Sequence, residues 1–394
     1  MDGTPESEDA ANALPPMRAL ATFTRGQWAD IFAQSAEDTA KGCKDSLHSN
    51  LVEFLRSEHL VVLTGLGTSL CVIDRAGNKP APTMSDLWNA VRGAVGIESF
   101  EAILKAVRHP DGDHNIELLL SRCQTAEAFE PSQLIRDFIR VAEKTIAHRC
   151  RFISDNLDLP QHESFLRRIA RRPTTAPRTR IFTTNYDLCF ETAASRIHMV
   201  VVDGFSHSIP QEFDGEYFAY DLVRREEDGS APDFIPNVCH LYKLHGSVDW
   251  ERSTERIRKR QDTDEPVLIY PRHSKFESSY EHPFIELMSR FQAAIRQPKT
   301  SLLIVGFGFN DKHITQPVLS AIRSNVGLKV VIVDPFVQES PSEASSVMAS
   351  LIAQGDPRIT LVSSPFEKFV PLLPDLVSET EQERHHARLR RIDL

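Results

Sequence analysis

Asn185 and His245 are the two side chains whose setting in this sequence calls for a chemical explanation. Asn185 lies in Thr183-Thr184-Asn185-Tyr186-Asp187, a polar run directly after the apolar pair Ile181-Phe182. That order puts an amide where a buried strand would open to solvent. An Asn turn with Asp187 capping the next helix accounts for Asp187 and leaves Asn185 unexplained. His245 lies in Lys243-Leu244-His245-Gly246-Ser247, after a β-rich segment. A lone histidine is usually structural, and the chain has 15 of them. What sets His245 apart is its company, since three other segments share its strand-end setting. An imidazole with an ordinary pKa near ~6.5 can accept a proton close to neutrality, and an amide can hold a water or a hydroxyl by hydrogen bonding.

The other two segments are rich in glycine. In Thr64-Gly65-Leu66-Gly67-Thr68-Ser69, Gly65 and Gly67 would let main-chain N–H groups approach a pyrophosphate, with the Thr68 and Ser69 hydroxyls as further donors. The dinucleotide fingerprint wants a third small residue where this chain has Leu70, and an ordinary glycine turn reads the segment about equally well. Gly306-Phe307-Gly308-Phe309-Asn310-Asp311 likewise has Asp311 at the third place. Taken alone, that segment reads better as a turn in which Asn310 or Asp311 caps the following helix.

Each of these segments needs a strand behind it. Short β-rich apolar runs occur at 59–64, 180–183, 198–202, 238–244, 302–305, 330–333 and 359–362. Helical spacing occurs at 46–58, 188–196, between the strands at 302–305 and 330–333, and over 366–373. Strands alternating with helices predict an α/β fold with a parallel sheet, whose carboxyl ends bind ligands. The stretch 84–172 is mainly helical and too long for a simple crossover, so it reads as an inserted helical subdomain. Residues 1–42 read as an irregular arm with one helix around 27–40, residues 43–375 as the main domain, and 376–394 as a charged tail.

Composition narrows the function classes. Among 394 residues, Lys and Arg number 45 against 55 Asp and Glu, a formal net charge of −10 that disfavours bulk binding to a phosphate backbone. The cluster Arg252, Arg256, Arg258, Lys259, Arg260 is the one local support for a nucleic-acid role, and a solvated loop explains it as well. No apolar run is long enough to span a bilayer, and the acidic start MDGTPESEDA is unlike a signal peptide. The six cysteines are widely spaced, which predicts reduced, buried thiols, a cytoplasmic location and no cysteine-held metal. No GxxxxGK[ST] segment supports an ATPase.

In this order, the four segments resemble those of the sirtuin family: a glycine phosphate turn, a T-x-N-x-D segment, a catalytic His-Gly and a later glycine turn for the nucleotide. The resemblance runs over about 60–335 and implies a Rossmann-like sheet that binds NAD. It implies that Gly65, Gly67, Thr68 and Ser69 hold phosphates and that Asn185 and Asp187 bind the nicotinamide-side ribose. By the same token His245 would be the general base, and Gly306, Phe307 and Asp334 would line the adenosine end. Two departures matter. The deacetylases carry a zinc ribbon with two CxxC pairs after the catalytic His, and this chain has no CxxC pair. Their Pro-Asp-Phe-Arg loop is also absent, and Leu66 stands where the turn usually has Ala. The pattern is closer to the sirtuin-like NADases of bacterial antiphage defence. That implies hydrolysis of the nicotinamide–ribose bond, with NAD as substrate, a homo-oligomer and a HerA-type ATPase hexamer as partner; no metal is expected, because no cysteine pair has ligand spacing. Contacts between copies are expected on the 84–172 insert, and a docking element in the tail with Arg384, Arg388, Arg390 and Arg391. An NAD-dependent protein deacylase, a non-catalytic NAD or ADP-ribose sensor and a nucleic-acid-acting subunit are the other readings.

Overall fold

A computed structural model of the chain describes residues 16–33, 42–154, 156–225, 233–254, 256–270 and 282–376. Its centre is a sheet of parallel strands made from the apolar runs. They are β3 (His59–Thr64), β4 (Thr179–Thr183), β5 (Val200–Val202), β8 (Val238–Lys243), β12 (Thr300–Val305), β13 (Lys329–Val333) and β14 (Ile359–Ser363). Their order across the sheet is β14-β13-β12-β3-β4-β8-β5. From β3 the chain moves outward to β4 on one side, and from β12 outward to β13 and β14 on the other. The order therefore reverses between β3 and β12, the place where doubly wound sheets open a ligand crevice. The fold class expected from the sequence holds: a mixed α/β, Rossmann-like sheet dominated by parallel strands.

Continuous apolar runs suit these strands because both faces are covered. Val61 and Leu63, Leu302 and Ile304, Val330 and Ile332 point into one core. Their neighbours Leu60 and Val62, Leu303 and Val305, Val331 and Val333 point into the other. The first core is closed by α8 (Phe284–Arg296), α9 (Lys312–Ser324) and α10 (Glu343–Ala353) through Phe291, Ile295, Val318 and Met348. The second is closed by α1 (Cys43–Leu55), α6 (Pro160–Ala170), α7 (Cys189–Arg196) and α11 (Phe366–Phe369) through Leu51, Phe165, Phe190 and Phe369.

The helical stretch expected over 84–172 divides. Helices α2 (Met84–Val95), α3 (Ile97–Ala106), α4 (Ile116–Phe129) and α5 (Gln133–Cys150) build a third core of their own, with Trp88, Phe100, Leu119 and Phe138 at its centre. Helix α6 instead packs on the sheet, because Phe165, Leu166 and Ile169 fall on one face of it and meet Phe190 and Phe366. The third core also takes in Val248, Leu268 and Tyr270. These belong to, or directly follow, a small antiparallel sheet of β9 (Gly246–Ser253), β10 (Arg256–Lys259) and β11 (Pro266–Leu268). A further two-stranded ribbon pairs β6 (Val223–Arg224) with β7 (Asp233–Phe234).

The arm expected to be irregular is not so throughout. β1 (Arg18–Leu20) pairs antiparallel with β14, and β2 (Ala29–Asp30) pairs with β1, extending the sheet by two strands. Ala19 and Leu20 are buried there, and the triplet Arg18-Ala19-Leu20 is too short to carry a periodicity from which to read a strand. Residues 27–33 are not helical, and the remainder of the helix expected to 40 lies outside the described residues, as does the tail from 377 with its four arginines. Among the described residues no helix is long and apolar enough to cross a membrane.

Candidate active site

The four chemistry-bearing segments leave the sheet side by side. Val305 is in register with Thr64, Thr64 with Thr183, and Thr183 with Lys243, so one row of residues crosses β12, β3, β4 and β8. The next residues along, Gly306, Gly65, Thr184 and Leu244, begin the four segments on a common edge. They surround a cavity of about 290 Å³, lined on the sheet side by Gly65, Leu66, Thr184 to Asp187, His245 and Gly306 to Gly308. The other wall comes from the helical layer and its flanks: Pro82, Met84, Leu87, Glu117, Cys150 and Phe152. Helix α2 is placed there by a capping box, in which Thr83 and Asp86 satisfy each other's main-chain N–H groups. Asn115 caps α4 by accepting from the Glu117 and Leu118 N–H groups, which sets Glu117 at the cavity.

The two glycine turns are pressed together at the switch point. A Cβ added at Gly67 would sit 2.6 Å from Gly306 Cα, and one at Gly65 would sit 2.7 Å from the Gly306 carbonyl oxygen. Gly306 has φ of +62° and would itself strike Gly67 and the Thr68 nitrogen at 2.7 Å. Each turn lacks the third small residue of the dinucleotide fingerprint, yet Gly65, Gly67 and Gly306 are each needed for the two backbones to clear one another.

The same packing sets what Gly67, Thr68 and Ser69 touch. The N–H groups of Gly67, Thr68 and Ser69 donate to Gly306, Gly65 and Leu66 carbonyls at 3.0, 3.0 and 2.9 Å. Thr68 and Ser69 are fully buried, and neither they nor Gly67 line the cavity. The turn runs into a single 3-10 turn, Leu66–Thr68, and no long helix opens at it to present N–H groups to a phosphate. The hydroxyls work behind the wall instead. Asn185 Nδ2 donates to the Gly65 carbonyl at 3.0 Å, to Ser69 Oγ at 2.9 Å and to Thr68 Oγ1 at 3.2 Å. Ser69 Oγ in turn donates to Asp187 Oδ2 at 2.7 Å, and the other Asp187 oxygen accepts the Cys189 N–H at 3.0 Å. Asp187 thus holds the first N–H of α7 from one residue before the cap position expected of it, which Leu188 occupies. Asn185 is held with its nitrogen toward the turn, which leaves its carbonyl oxygen as the polar atom that can serve a ligand.

Lys243 is a residue the sequence reading passed over within its own segment. Its ammonium is buried, donates to the Asp187 carbonyl, and pairs with Glu191 Oε1 at 3.1 Å. Burial pushes the Glu191 carboxyl above its usual range against the pull of Lys243. This ion pair fixes the backbone between Asn185 and α7. The only sequence signal was a lysine just before a strand end.

His245 is 2% exposed and begins the turn into β9, where its carbonyl accepts the Ile269 N–H at 2.9 Å. Gly246 follows with φ of +83°, and a Cβ there would run into the Val267 carbonyl, so the His-Gly pair is set by the close approach of β11. The imidazole meets a second one: His245 Nε2 lies 3.0 Å from His313 Nε2 on α9. Asp311 lies close enough that one ligand atom from each of the three falls within 4.8 Å of the others. Asp311 occupies the cap position of α9, yet its carboxylate does not cap that helix.

Glu117, Asp187 and Asp311 line the cavity, with the Asp187 carboxylate turned to Ser69 and the Cys189 N–H, and among the described residues no Lys or Arg lines it. Such a lining favours a cationic ligand over a phosphate. Phe307 lines the same cavity, whereas Asp334, at the end of β13, does not; its carboxyl accepts the Phe336 N–H at 2.8 Å. Cys150 reaches the cavity with its thiol pushed by burial up to about 12, and all six cysteines are free. The basic cluster is largely paired: Arg256 and Arg258 with Glu212, Lys259 with Asp203, Arg260 with Glu251. It lies on or beside the β9–β10 hairpin, so the solvated loop expected there is a strand pair that spends its cations internally.

The SIR2-like domain family has a profile that matches residues 179–350, which takes in β4 to α10 and three of the four segments. That match supports a sirtuin-like family and an NAD-related enzymatic activity. No curated protein gives a significant match to the chain.

Proposed function

We propose that the protein is an NAD glycohydrolase that cleaves the nicotinamide–ribose bond and releases nicotinamide and ADP-ribose. The observation that carries this reading is the common edge: Asn185, His245 and both glycine turns surround one cavity from four neighbouring strand ends. In NAD the nicotinamide ring is cationic, and the bond breaks with positive charge developing at the anomeric carbon. The Glu117 and Asp311 carboxylates beside a small, partly apolar cavity stabilise that charge where bulk water is scarce. The electron pair of the broken bond leaves with nicotinamide, which becomes neutral. A water oxygen bonds to the anomeric carbon and its proton passes to His245. The Asn185 carbonyl oxygen, whose amide is locked by Gly65, Thr68 and Ser69, orients that water or a ribose hydroxyl.

Asn185→Ala and His245→Ala should each lower NAD consumption by about 100-fold or more, the range of positioned acid–base help, with the fold retained by circular dichroism. Chromatographic separation of nicotinamide and ADP-ribose measures it, and unchanged turnover in either folded variant would reject the assignment. The biological setting we propose is NAD depletion in antiphage defence, with a homo-oligomer paired to a HerA-type ATPase. Its support is the resemblance of the four segments. Light scattering of the chain alone checks the homo-oligomer, and a strict monomer at micromolar concentration would remove it.

A further inference from the structure

We infer that His245, Asp311 and His313 form a site for a divalent transition-metal ion, and that its occupation shuts the hydrolytic centre. Two imidazoles and a carboxylate are the donor set that suits zinc and its first-row neighbours. The Nε2 atoms of His245 and His313 are 3.0 Å apart, close to the separation of about 3.3 Å that two nitrogens take when both bind one tetrahedral zinc at ~2.0 Å. Asp311 supplies a carboxylate within 4.8 Å of both, on a half-buried side chain at the start of α9. The two histidines are buried, so their rings are held by packing rather than gathered from solvent. Three protein ligands leave the fourth position to water on the cavity side, since both His245 and Asp311 line it.

The ligands come from two strand ends that are far apart in the chain: His245 follows β8, while Asp311 and His313 follow β12. The expectation of no metal rested on the cysteines, whose spacing says nothing about this set. An ion here would take the His245 lone pair that the hydrolytic step needs. It would also place a dication beside a carbon that becomes positive in the transition state, which raises the barrier. The metal site stands on its own geometry, and its inhibitory effect rests on the hydrolytic reading above.

The test uses the full chain freed of metal with EDTA and titrated with zinc sulfate by calorimetry. One zinc per chain is expected. His313→Asn and Asp311→Asn should each weaken binding by more than about tenfold, since even outer partners of a metal ligand change affinity by 10- to 100-fold. In the same protein, one equivalent of zinc should lower NAD consumption at least about tenfold, with recovery on EDTA. Absence of stoichiometric binding, or binding that survives both substitutions as thiol-held zinc would, overturns the site. Stoichiometric zinc with unchanged NAD consumption overturns the inhibition. A metal-free chain that consumes no NAD, yet binds zinc through His313, overturns the hydrolytic reading and the inhibition while supporting the metal site.

Discussion

The two walls of the cavity are built on different principles. The sheet wall is backbone against backbone: Gly65 and Gly67 against Gly306, with Asn185, Ser69 and Asp187 wired behind them by hydrogen bonds of 2.7 to 3.2 Å. The helical wall is side chains on a separate apolar core, that of Trp88, Phe100, Leu119 and Phe138, which meets the rest of the protein through Val248, Leu268 and Tyr270. Arg151 adds a polar tie, donating at 2.8 Å to the carbonyls of Val248 and Thr263. The first wall tolerates almost no change of volume. The second rests on a core of its own, so a change of volume there is expected to leave the first in place. The proposed reaction would need a fixed geometry on one side and access on the other, and these two walls suit that division.

That contrast can be broken at its tightest point. Gly306→Ala should lower the free energy of unfolding by about 4 kcal/mol, because overpacking and a left-handed φ each cost about 1–3 kcal/mol. Urea unfolding reads it, and a loss below about 1 kcal/mol would mean the turns separate freely.

Acid should strike the sheet side next. His162, packed between Phe190 and Phe366, and His240 on β8 are both held by burial at a pKa of about 4. Unfolded, each takes up a proton near pH 6.5, so their share of stability is complete above that value and is lost as pH falls from 6.5 to 4. By pH 4 the loss should approach about 3 kcal/mol for each, and His162→Leu should flatten the slope in unfolding curves measured across that window. A flat profile in the unsubstituted chain would show that water reaches both rings.

The smallest effect belongs to the helical wall. Val91→Ala, at a fully buried position of α2, should cost about 2 kcal/mol. Hydrogen exchange should quicken over 84–150 and stay unchanged in β3, β4 and β12. Faster exchange throughout the central sheet would show that the two cores unfold as one.

Much of the sheet was legible because a parallel strand covered on both faces has to be a short run of β-branched and other apolar residues. His59–Thr64 and Lys329–Val333 are such runs, and Asn185 and His245 stood out because polar groups follow strands of that kind. β1 was not legible, since three residues carry no period, and its pairing with β14 is a contact between chain regions more than 300 residues apart. Nor could the sequence say that α6 belongs to the sheet while α5 belongs to the helical core, as both carry the same amphipathic pattern.

At the site, residue type and order alone determined that glycines, an amide and an imidazole would gather at strand ends. Only the tertiary structure decided what those groups touch. Thr68 and Ser69 could have faced a phosphate, but parallel register set Gly65 against Gly306 and turned both hydroxyls toward Asn185 and Asp187. His313 and Lys243 gave little signal as letters, because a histidine at a helix start and a lysine at a strand end are ordinary. They acquire partners, His245 and Glu191, through strand order, and strand order is fixed by how apolar faces close over a sheet rather than by any local run of residues.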